Sequence, residues 1–153
     1  MNLPASRITR SLLPLALALG GMASAQDAAQ PRLDGVTLQA GMHLIHAEVA
    51  RTPLQTQTGL MFRRQMAAHE GMLFVFDKLA PRCFWMKNTL LPLSIAFIAD
   101  DGRIVNIADM QPQSEQSHCA DQPVRFALEM NQGWFAKRGI QPGFRIKGAP
   151  FGS

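Results

Sequence analysis

The chain has 153 residues, a formal net charge of +4 and 47% hydrophobic against 17% charged residues. That length suits one domain with one core. Basic residues occur as the pairs Arg63–Arg64 and Lys137–Arg138 with no longer run, which argues against a nucleic-acid partner.

Taken from the start, "MNLPASRITR" carries Arg7 and Arg10 and no acid, an apolar stretch through "LLPLALALGG" follows, and Ala23-Ser24-Ala25 closes the segment. This is the order of a secretory signal peptide over residues 1–25, cut near Ala25. The expected destination is the periplasm or the medium, with no membrane span after cleavage. Residues 26–35, rich in Gln, Ala and Pro, read as a disordered lead-in. A single β-rich domain is expected over 36–150.

"VTLQAGMHLIHAEVA" reads as two strands turning at Ala40-Gly41, with Ile45, Ala47 and Val49 on one face. Thr52, Pro53 and Gln55 form a helix start with a capping box. Gly59 falls within the helical spacing of Leu54, Thr58 and Met61 and reads as a packing contact. "GMLFVF" (71–76) is a buried strand, and "DKLAP" a turn. "LSIAFIADDGRIVNIADM" is a β-hairpin turning at Asp101-Gly102. Residues 111–122 form a long polar loop. "VRFALEM" alternates, with Val124, Phe126, Leu128 and Met130 inward and Arg125, Ala127 and Glu129 outward. "NQGWFAKRGI" reads as a second short helix, and "QPGFRIKG" as a turn and final strand. The expected fold is mainly β (α+β): a curled or barrel-like, largely antiparallel sheet of six to seven short strands with two short helices. No strand–helix–strand alternation is evident, which disfavours a parallel doubly wound sheet.

The motifs "GLMFRRQM", "EGMLFVF", "FWMKNTLLPLSIAFI", "DGRIVNI", "FALEMNQG" and "GIQPGFRI" occur in this order. Through them the chain resembles the family catalogued as domain of unknown function 192, over roughly residues 44–147. The resemblance implies a small β-rich domain, frequently exported, and brings no activity, substrate or cofactor. The family pattern has aspartate where Ser94 and Phe144 stand here, so a hydrolytic chemistry would lack those carboxylates.

Two stretches carry the candidate chemistry. In an exported chain Cys83 and Cys119 are expected to form a disulfide. The alternative is a soft-metal site for copper or zinc, built from Cys83, Cys119, His118 and Met86, with Met110 near. In "CFWMKNTL" an extended strand would place Cys83, Trp85, Lys87 and Thr89 on one face, leaving an interior for a rim. Trp85 as an apolar platform, with donors from Lys87, Asn88 and Thr89, suits a sugar ring or a carboxylate-bearing ligand. Arg125 and Glu129 are further candidates, Glu129 as a partner for Lys87. No nucleophile with a base and orienter in reach is recognisable. The expectation is therefore an exported, non-catalytic domain without a cofactor, binding a small cell-envelope ligand or a protein partner. An envelope hydrolase using Glu129 ranks below the metal alternative.

Overall fold

Residues 28–151 are described by a computed structural model; the expected signal segment lies outside the described residues. The elements in order are β1 (Gly35–Ala40), β2 (His43–Ala50), α1 (Pro53–Thr58), β3 (Glu70–Ala80), β4 (Cys83–Phe84), β5 (Leu93–Ile98), β6 (Ile104–Met110), β7 (His118–Cys119) and β8 (Val124–Asn131). A six-stranded sheet has the order β1-β2-β3-β8-β5-β6, and β4 pairs with β7 in a separate two-stranded sheet. Among the described residues no helix is long and apolar enough to cross a membrane.

The hairpins form as their local sequence dictates. β1 and β2 pair antiparallel with Ala40 opposite His43, and β5 and β6 with Leu93 opposite Met110. The capping box is complete: Gln55 N–H donates to the Thr52 hydroxyl, and the Gln55 side chain accepts from the Thr52 N–H. The helix ends at Thr58, so Gly59 is its stop rather than an interior residue.

Four expectations are corrected. β2, α1 and β3 make a strand–helix–strand unit, and β2 and β3 pair in parallel, His46 opposite Glu70. α1 is the single α-helix among the described residues; the stretch after Asn131 gives only a 3-10 turn, Ala136–Arg138. The sheet is open, since β1 and β6 are both edges. The expected final strand does not join it as a strand but reaches both edges. Ile146 N–H donates to Gly102 O and Ile104 N–H to Phe144 O on the β6 side, while Gln39 and Lys147 exchange hydrogen bonds on the β1 side.

The sheet is covered on both faces. One apolar cluster joins Leu38, Ile45, Leu73, Ile98, Leu128, Trp134 and Ile146; the other joins Leu60, Met72, Phe74, Met86, Ile95, Phe97 and Ala127. Every residue of β5 is therefore buried, and so are Val124 and Phe126 to Met130 of β8. The stretch before β1 belongs to this cover. Arg32 pairs with Glu70, Leu33 N–H donates to Glu48, and Gln30 Nε2 donates to Gly59 O at 2.8 Å.

Candidate functional site

Glu129 sits in the middle of the sheet, opposite Met72 of β3 and Ile95 of β5. The apolar–polar alternation of the sequence predicts an outward side chain, yet it is 4% exposed. Its face of β8 also carries Ala127; Val124, expected inward with Phe126, Leu128 and Met130, instead joins the cluster of Ala127, so the alternation breaks between Val124 and Phe126. What the alternation could not reveal is the second layer over that face, which covers Ala127 and Glu129. Burial alone pushes the Glu129 carboxyl up to about 8, so it stays protonated at neutral pH and can donate a hydrogen bond.

The covering layer leaves a cleft of about 340 Å³ above this carboxyl. One wall is the segment Pro81–Trp85. The Cys83–Cys119 disulfide holds it, with Cys83 opposite Cys119 and Phe84 opposite His118 in the small sheet. Phe84 packs edge-on to Phe74 (centroids 4.8 Å apart) and Phe97 (5.8 Å). Arg82 lays its guanidinium over the Phe76 ring at 3.9 Å and donates from Nη2 to Lys78 O at 2.7 Å, while its Nε is buried without a partner. The other wall is the end of α1 and the turn after it. Gly59 has φ of 48°, and a Cβ there would stand 3.1 Å from the Phe74 ring. The glycine thus lets the turn lie on the floor of the cleft.

The structure brings Trp85, Thr89 and Glu129 together as lining residues and separates the other candidates from them. The extended stretch is shorter than expected: β4 ends at Phe84, and Asn88 takes a positive φ of 57° in a turn where its carbonyl accepts from Phe62 N–H. That turn reverses the facing, so Thr89 is buried while Trp85 remains 46% exposed. Lys87 does not meet Glu129; its Nζ lies 3.5 Å from Glu115 and 5.2 Å from the Trp85 ring centre. Arg125 pairs with Asp100 at 3.0 Å, at the far end of its strand.

The disulfide engages both sulfurs that the soft-metal alternative requires as thiolates. Met86 is wholly buried in the core, and among the described residues no group of three His, Cys, Asp or Glu side chains could hold a metal. Ser94 is buried on the opposite face, where its hydroxyl donates to Asp109 and accepts from Gly133 N–H. The sequence reading missed Arg82, Phe76, Phe84 and the packing role of Phe74. Its one pointer was Gly59, read correctly as marking a close approach.

Solved structures similar to the chain include the following two. One, from Sinorhizobium meliloti 1021, is described as a "putative transcription regulator"; it is 43% identical with a TM-score of 0.71, covering 75% of this chain and 92% of that one. The other, a protein of unknown function from Novosphingobium aromaticivorans DSM 12444, is 35% identical with a TM-score of 0.70, covering 84% of this chain and 100% of that one. No curated protein matches the chain. The family model described as DUF192, Uncharacterized ACR, matches residues 36–148, and the protein is a member of that family.

Proposed function

We propose that this protein is an exported, non-catalytic domain that binds a small cell-envelope ligand, a glycan or a carboxylate-bearing molecule, in the cleft above Glu129. The observation that carries this is a protonated carboxyl at the floor of an aromatic-walled cleft. Apolar walls with a few convergent polar groups are the ordinary makeup of a small-ligand site. Among the lining residues Glu129 is the one carboxylate and no histidine accompanies it, which favours binding over paired acid–base chemistry. The leader segment and the disulfide both support an oxidising compartment outside the cytoplasm. The description of the Sinorhizobium relative is not carried over, because Arg32, Arg63, Arg125 and Arg145 are paired with carboxylates rather than arrayed for phosphates.

The test is a thermal-shift screen of the chain from Gln26 onward against wall fragments, amino sugars, oligosaccharides and small carboxylates. A ligand of the folded state raises the midpoint by mass action. The expected result is a rise with at least one compound that shrinks in Trp85→Ala, a substitution at a half-exposed position that leaves the core intact. Silence across the panel, or a rise indifferent to Trp85→Ala and Glu129→Gln alike, overturns the reading.

A further inference from the structure

The cleft has a second polar end besides Glu129. Arg82 is held in place from two sides, by the Phe76 ring under its guanidinium and by the bond to Lys78 O. Among the other described arginines, Arg32, Arg63, Arg125 and Arg145 each have a carboxylate within 4.0 Å, whereas Arg51, Arg64, Arg103 and Arg138 have none. Arg82 has none among the described residues, and its buried Nε has no acceptor. What singles Arg82 out is its place: among the described arginines it alone lines the cleft, where its unused donors suit an anion. Phe76, Phe84 and Trp85 line the same cleft as Arg82 and Glu129.

Resting on the reading of the cleft as a ligand site, we propose that it selects a small amphipathic monocarboxylate. The carboxylate docks on Arg82, the apolar body lies along Phe76, Phe84 and Trp85, and a neutral oxygen at the far end accepts a hydrogen bond from Glu129. An ammonium at the far end is disfavoured, because a desolvated cation would need Glu129 to ionise where burial opposes it. A volume of about 340 Å³ admits a molecule the size of one substituted aromatic ring.

Three probes test this by titration calorimetry: para-hydroxyphenylpropionate, its amide, and phenylpropionate. A charge-assisted hydrogen bond to Arg82 makes the hydroxyl acid bind about tenfold or more tightly than the amide. Arg82→Gln should bring acid and amide to within about twofold of each other, and Arg82→Lys should restore part of the preference. Loss of the hydroxyl should weaken binding several-fold in the wild type. Circular dichroism confirms that each variant is folded. Equal binding of acid and amide to the wild type overturns the proposal and leaves the cleft reading standing. An acid preference that survives Arg82→Gln removes Arg82 from the assignment and overturns it as well. Failure of all three probes overturns it too, and the wider thermal-shift panel then decides the cleft reading by itself.

Discussion

Glu129 shows how one side chain sets both a cost and a capacity. Its folded-state carboxyl titrates near 8 and its unfolded one near 4.5. The folded state therefore holds a proton that the unfolded state releases between those values. The contribution to stability is fully present below about pH 4.5, falls as pH rises through the window, and is lost above about 8. Glu129→Gln keeps the shape and cannot ionise, so it should raise stability by on the order of 3 kcal/mol at pH 7 and flatten the slope between pH 5 and 8. Urea unfolding at four pH values checks this, and a slope equal to that of the wild type would contradict the buried-acid account. Gly59 makes the complementary case. Gly59→Ala places a Cβ against the Phe74 ring on a backbone with positive φ. We expect a loss of about 1–3 kcal/mol in urea unfolding and weaker ligand binding through a raised cleft floor. At this scale the sequence disclosed Gly59, since a glycine breaking a helical pattern needs a reason. It concealed Glu129, since a glutamate flanked by inward apolar neighbours has the pattern of a solvent-facing residue.

Among the elements, those built from neighbours in sequence were legible: the Ala40-Gly41 hairpin, the Thr52 capping box and the Asp101-Gly102 hairpin. Those built from distant segments were not. The parallel pairing of β2 with β3 depends on where the chain lands after α1, which no local signal specifies. Phe84 and Arg82 gain their roles only when β4 meets β7 across a long loop. The disulfide was legible from the expected compartment and the cysteine count, and the structure shows its consequence for the cleft. Cys83 and Cys119 are both exposed and 36 residues apart, and their bond anchors the wall that carries Arg82, Phe84 and Trp85. Replacing both by serine should cost roughly 3–4 kcal/mol by loop entropy. Because the cleft wall is fixed by the same bond, ligand affinity should fall further than that of any variant matched in stability. Unfolding and binding measured on the same double variant separate the two effects; unchanged affinity would show that Phe84 packing alone holds the wall.

The molecule as a whole is an open sheet whose two edges are tied by residues 143–147. An open edge invites pairing with other chains, and here one short segment occupies part of both. Ile146 anchors it: the side chain is fully buried, and its N–H donates to Gly102 O. Gly102, at φ of 83°, lets the β5–β6 turn come this close, since a Cβ there would strike Ile146 O. In the sequence this segment reads as one more strand, because Phe144 and Ile146 alternate as a strand does. Its hydrogen bonds are instead divided between Gln39 on β1 and Ile104 and Gly102 on β6. If the segment acts as a clasp, loosening it must release both edges at once. Ile146→Ala should cost about 2–5 kcal/mol through the cavity it leaves. In native-state hydrogen exchange the amides of Gln39 and Ile104, on opposite edges, should lose protection together and by similar factors. Leu128, in the central β8, should exchange only by global unfolding. Loss of protection on one edge alone would mean that β1 and β6 are held independently, and the segment would then be a cover for the core rather than the link that ties the two edges.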